Sequence, residues 1–180
     1  MKKVIAIIGL VAASVAAKAQ ANSAGQQTVN LSLTDAIELT FTGSGTATGA
    51  AVTLPFTTVN DYANGVTSAA QALKVRSNKN FTVAVKANAT NFTYVGSTTP
   101  APVMPVASVL DVKVSANGTG GTTAAAFSSY GDITATNQSL ITNGTRGGNQ
   151  TFSVQYQATP GFSYPAGNYS VDVVYTATQL

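Results

Sequence analysis

The chain has 180 residues, no cysteine, no histidine and no tryptophan, and only fifteen formally charged side chains. Without His or Cys there can be no Ser-His or Cys-His nucleophile pair and no imidazole or thiolate metal site. Without Trp a favoured platform for stacking sugars is missing, and with no disulfide available the fold must hold by packing and sheet hydrogen bonds.

The first nineteen residues have the three parts of a cleaved signal peptide. Lys2 and Lys3 give a positive start, Val4 to Ala17 is apolar, and Ala17-Lys18-Ala19 supplies an A-x-A cleavage site that leaves Gln20 as the mature N-terminus. The apolar run is shorter than the ~20 residues needed to span a bilayer, so no membrane span is expected after cleavage. Cleavage removes three of the nine bases. The remaining six (Lys74, Arg76, Lys79, Lys86, Lys113, Arg146) balance six acids (Asp35, Glu38, Asp61, Asp111, Asp132, Asp172), a net charge of zero. A neutral chain with no basic run carries no electrostatic footprint for nucleic acid.

After a polar leader, Thr28-Val29-Asn30-Leu31-Ser32-Leu33-Thr34 puts three apolar side chains on one face. Asp35 breaks the phase, which resumes at Ile37, Leu39 and Phe41. Two readings fit: one long edge strand bent at Asp35-Ala36, or two strands, the first of which can leave its own domain. Residues 20–34 are therefore an N-terminal extension or first strand, and 35–180 a single domain. Gly/Thr/Ala/Ser-rich stretches at 43–50 and 116–131 predict loops, and 67–73 has room for a short helical turn.

Elsewhere the pattern is two-residue alternation, with charged or hydroxyl residues at most alternate positions. It runs through Leu73–Arg76, Phe81–Lys86, Leu110–Val114, Phe152–Ala158 and Tyr169–Tyr175. The register predicts Phe81, Val83, Leu110, Val112, Phe152, Val154 and Val173 inside, and Lys86, Asp111, Lys113 and Asp172 in solvent. Asn64-Gly65, Asn117-Gly118, Asn143-Gly144 and Pro160-Gly161 punctuate the runs as turn pairs. Short strands at turn-bounded intervals predict an all-β fold, an antiparallel immunoglobulin-like two-sheet sandwich in a single domain, with a closed barrel as the competing architecture.

Candidate chemistry is sparse. Asp35 and Glu38 are the only acids close in sequence, and two carboxylates are the minimum for glycoside hydrolysis. Solvated charges or a turn cap account for them better. The glycine clusters at 43–45 and 118–121 lack the G-x-x-x-x-G-K-[ST] pattern of a phosphate loop. No catalytic, cofactor or metal residue is assigned, and the chain is read as non-enzymatic.

The segment Pro165-Ala166-Gly167-Asn168-Tyr169-Ser170-Val171-Asp172-Val173-Val174-Tyr175 resembles the closing strand of chaperone–usher fimbrial subunits and of spore-coat-U-like secreted domains, where a Gly-x-Tyr leads into an alternating strand with a Tyr near the C-terminus. Many of those subunits carry a disulfide, which this chain lacks. The resemblance implies a sandwich missing one strand, filled first by a periplasmic chaperone along the last strand and then by the next subunit's N-terminal extension. Carried across, Val29, Leu31 and Leu33 would be the strand-donor residues, and Tyr169, Val171, Val173 and Tyr175 would line the acceptor groove. The implied function is a structural subunit of a bacterial surface fibre, passing through the periplasm to the cell surface or exterior. Its partners would be a chaperone and copies of itself or related subunits. The competing function is a self-contained secreted sandwich that binds a surface glycan or protein.

Overall fold

The computed structural model describes residues 23–180; the signal segment 1–19 and its cleavage point lie outside the described residues. The chain divides after Leu33 into two units. In the first, residues 23–33 hold no helix or strand, and Val29, Leu31 and Leu33 are 76%, 84% and 87% exposed. The strand expected over Thr28–Thr34 is not formed, and the first strand opens only at Ile37.

In the unit Thr34–Leu180 the alternating runs become strands β1 (Ile37–Phe41), β2 (Val66–Thr67), β3 (Gln71–Ser77), β4 (Phe81–Ala87), β5 (Thr93–Val95), β6 (Leu110–Asn117), β7 (Thr122–Thr123), β8 (Gly131–Asp132), β9 (Gln138–Gly144), β10 (Gly147–Ala158), β11 (Asn168–Ser170) and β12 (Val173–Gln179). One sheet runs β1-β3-β10-β6-β8, with β2 pairing the end of β10; the other runs β12-β4-β9-β7. β5 and β11 form a separate two-stranded ribbon. Every pairing is antiparallel. The fold is an all-β, immunoglobulin-like two-sheet sandwich.

The core forms because alternate side chains of both sheets point at each other. Leu73 and Val75 of β3, Val112 of β6 and Phe152 and Val154 of β10 meet Phe81, Val83 and Val85 of β4, all of them fully buried. Each such side chain contributes about 1.5–3 kcal/mol on burial. Leu140 and Ile141 are adjacent in β9 yet both buried. Irregular β4–β9 pairing at this point lets two successive side chains turn inward. Val112 is inside and Lys113 outside, its ammonium 4.5 Å from the centre of the Tyr130 ring.

Three local expectations change. No helical turn forms at 67–73: Thr67 ends β2, residues 68–70 are irregular, and β3 opens at Gln71. The α-helix is α1 (Val59–Asn64), started by a capping box in which the Asp61 carboxylate accepts from Thr57 N (2.8 Å) and Thr58 N (2.7 Å) while the Thr58 hydroxyl accepts from Asp61 N. Those backbone donors, Thr58 first, hold the Asp61 carboxyl below its ordinary pKa. The stretch 116–131 is not all loop, since it carries β7 and a 3-10 turn at Ala125–Phe127. Lastly, the run Tyr169–Tyr175 is two strands rather than one. The chain breaks at Val171-Asp172, where Asp172 and Asn88 exchange two backbone-involving bonds and one between their side chains. β11 then pairs with β5, and β12 with β4.

Candidate functional site

Each sheet ends in two edge strands, and an edge strand presents unpaired N–H and C=O groups to any strand that approaches. At three of the four ends the outermost strand is short or charged. β7 and β8 are two residues long, and β1 is five residues long and carries Glu38, 3.6 Å from Arg76. β12 is different. It is seven residues long, Val-Val-Tyr-Thr-Ala-Thr-Gln, with no charge and no proline. It pairs β4 along its whole length, from Val173↔Ala87 to Gln179↔Phe81. On its other side it has no backbone ladder among the described residues.

β12 and β1, the edges of opposite sheets, lie beside each other at the rim of the sandwich. At one end the Gln179 side-chain amide donates to Ala36 O (2.9 Å), Ser77 Oγ (3.1 Å) and Asn78 Oδ1 (3.0 Å). Towards the other end the Phe41 and Tyr175 rings meet edge-on, with centroids 6.2 Å apart. The inward side chains along this rim are Leu39 and Phe41 of β1 and Val173, Tyr175 and Ala177 of β12. They pack against the core but remain only half-buried, whereas their counterparts on β4 are fully covered.

Tyr175 anchors β12 from within. Its hydroxyl lies 2.8 Å from that of Tyr156, so each satisfies the other. Burial, reinforced by the neighbouring Tyr156, pushes the Tyr175 pKa well above the ordinary phenol value, and burial raises Tyr156 as well. Both hydroxyls are therefore neutral hydrogen-bonding groups.

Of the residues assigned to the acceptor strand, only Val173 and Tyr175 lie on β12. Val171 is half-buried against the core just before it. Tyr169 belongs to β11, where its ring packs on Tyr94 (5.0 Å) and Tyr164 (6.5 Å) and its hydroxyl donates to Pro165 O. Sequence reasoning did not single out Ala177 and Gln179, although the alternation from Val173 continues through both.

The acids also find partners. Asp35, the first of the close pair, meets the Lys79 ammonium at 2.7 Å, and Glu38 faces Arg76. A carboxylate pair forms elsewhere, between Asp111 on β6 and Asp132 on β8, which are cross-strand neighbours. Asp111 is half-buried, not fully in solvent as its alternation suggested. Partial burial first, then the Asp132 carboxyl beside it, push its pKa up to about 6. Among the described residues no three acidic, His or Cys side chains gather as a metal site would need, and no helix is long and apolar enough to cross a membrane. No protein-family model matches the sequence, and no curated protein matches it either.

Proposed function

We propose that the protein is a structural subunit of an extracellular fibre, assembled when the N-terminal extension of one copy adds as a strand to β12 of the next. The observation that carries this reading is the pairing of opposites within one chain: a long, uncharged, unguarded edge over a half-covered core, and an exposed segment with apolar residues at alternate positions. Strand addition supplies main-chain hydrogen bonds for affinity and alternate side-chain pockets for specificity. Val29, Leu31 and Leu33 have the right spacing to fill a groove floored by Leu39, Phe41, Val173, Tyr175 and Ala177.

The same edge would invite premature pairing during export, which is the physical reason to expect a periplasmic chaperone along β12 until a neighbour arrives. The zero net charge of the mature chain offers little repulsion against close association of copies. The test is to purify the mature protein and examine it by size exclusion and negative-stain microscopy. Rods or linear oligomers that vanish in Leu31→Asp support the reading. A wild-type protein that unfolds reversibly as a stable two-state monomer and never polymerises would refute it.

A further inference from the structure

Six of the fourteen aromatic side chains gather at the end of the sandwich where β10 finishes and β12 begins, with only Phe56 among them packed against the core. Phe56 packs on Tyr62 of α1 (5.3 Å), and Tyr62 stacks on Phe162 (5.6 Å, 23° between ring planes). Tyr94 of β5, Tyr164 and Tyr169 of β11 form the adjoining group, and burial first, then the neighbouring Tyr94, Tyr164 and Tyr62, raise the Tyr169 pKa. Five separate segments bring these rings together, and Phe162 remains 67% exposed.

The cluster is framed rather than accidental. The Tyr94 hydroxyl donates to Ala166 O and accepts from Thr98 N, and that of Tyr169 donates to Pro165 O, so both fasten the 165–167 turn. Gly96 and Gly167 close on the Tyr94 ring so tightly that a Cβ at either would collide with it. By contrast the hydroxyls of Tyr62 and Tyr164 have no hydrogen-bond partner among the described residues. The one acid beside the rings, Asp61, has its carboxylate committed to the Thr57 and Thr58 amides.

The geometry points to a binding platform for a neutral oligosaccharide. A sugar offers a face of weakly positive C–H groups to the negative face of an aromatic ring, and hydroxyls around its rim. The patch offers the matching set: open ring surface at Phe162, two free phenol hydroxyls, and no uncommitted charge to select an anionic or cationic ligand. A purely apolar protein surface laid over the same rings would strand the two tyrosine hydroxyls without partners, which is costly. The rings do the work for which the sequence, lacking Trp, offered no obvious platform. This inference does not rest on strand addition.

Tyrosine is the dominant fluorophore in a chain without Trp, so a sugar seated on Phe162 beside the Tyr62 and Tyr164 hydroxyls is read directly from intrinsic fluorescence. The mature protein is titrated with cellohexaose and with maltohexaose, at low and high NaCl, alongside Phe162→Ala and Tyr62→Phe. We expect one of the two neutral hexasaccharides to bind with an affinity indifferent to salt. Phe162→Ala, an exposed site, should weaken it about tenfold with an unchanged melting temperature, and Tyr62→Phe should weaken it less. The inference is overturned if neither sugar binds at millimolar concentration, if Phe162→Ala binds as well as wild type, or if only anionic polygalacturonate binds. It is equally overturned if sedimentation shows that Phe162→Ala dissolves assemblies present in wild type, because the patch would then be a contact between copies.

Discussion

Leu31 carries the sharpest consequence of strand addition. Under the proposed strand addition, Leu31→Asp would place a charge in an apolar groove, a costly burial without a counter-ion. The variant should still accept a strand or a chaperone on its unchanged β12 but cannot donate, so mixed with wild type it should shorten fibres in proportion to its share. Fibre lengths independent of the added variant would count against donation through Leu31. In the core, Phe152→Ala should cost about 3–5 kcal/mol, measured by denaturant unfolding of the same assembled state. Asp111 makes a prediction of the opposite kind. Its folded pKa, up to about 6 from the ordinary 3.8, means that the folded chain holds a proton the unfolded chain has released. The stabilisation this confers is complete below about 3.8 and is lost as the pH rises through about 6. The melting temperature should therefore fall across that window by more in wild type than in Asp111→Asn; equal slopes would remove Asp111 as the cause. Phe81, Val112, Phe152 and Val154 were legible as core because alternation alone decides which face a strand residue occupies. The Asp111–Asp132 pair was not, because cross-strand partners far apart in sequence are joined only by topology.

Among the elements, β3, β4, β6 and β10 follow from their alternating runs, and turn pairs mark several of the ends. α1 escaped notice because Val59–Asn64 has no apolar stripe, and its start is fixed by Thr58 and Asp61, with the shorter Asp where a capping box more often has Glu. The join between β11 and β12 was hidden for a related reason: the alternation runs unbroken through Val171 and Val173, while the change of partner is imposed by Asn88 gripping Asp172. The edge position of β12 was open only to analogy from sequence. Its meaning at this scale is testable by division. A chain lacking residues 20–34 should accept a strand but never extend a polymer. A synthetic peptide of residues 27–35 should raise its melting temperature, by way of three apolar side chains each contributing about 1.5–3 kcal/mol before ordering costs. A peptide with Val29, Leu31 and Leu33 all changed to Ser should leave the melting temperature where it was.

At the scale of the whole molecule, the proposed assembly depends on the export that the signal segment predicts. If the signal segment is cleaved as its sequence predicts, mass analysis of the secreted protein should give a chain beginning at Gln20, and retention of residues 4–17 would make the protein membrane-anchored instead. If strand addition completes the fold as proposed, a domain of typical marginal stability, about 5–15 kcal/mol, should be short-lived alone and resistant once linked. That contrast should show as a large difference in protease sensitivity between freshly exported subunits and fibres.

The pairing of β12 with β4 also bears on the order in which the chain can fold. β4 is the inner strand of its sheet, with β9 on one side and β12 on the other, yet its two partners are supplied far downstream, the second by the last residues of the chain. Closing so distant a contact is slow, since the entropy of ordering the intervening loop must be met before the ladder bonds form. If the chain is exported N-terminus first, as proposed, β3 and β4 emerge early and β4 waits with one backbone edge unpaired until residues 173–179 follow. A chain stopped at Ser170 would leave that waiting state permanent. Such a fragment should aggregate or be degraded, however complete the other sheet may be.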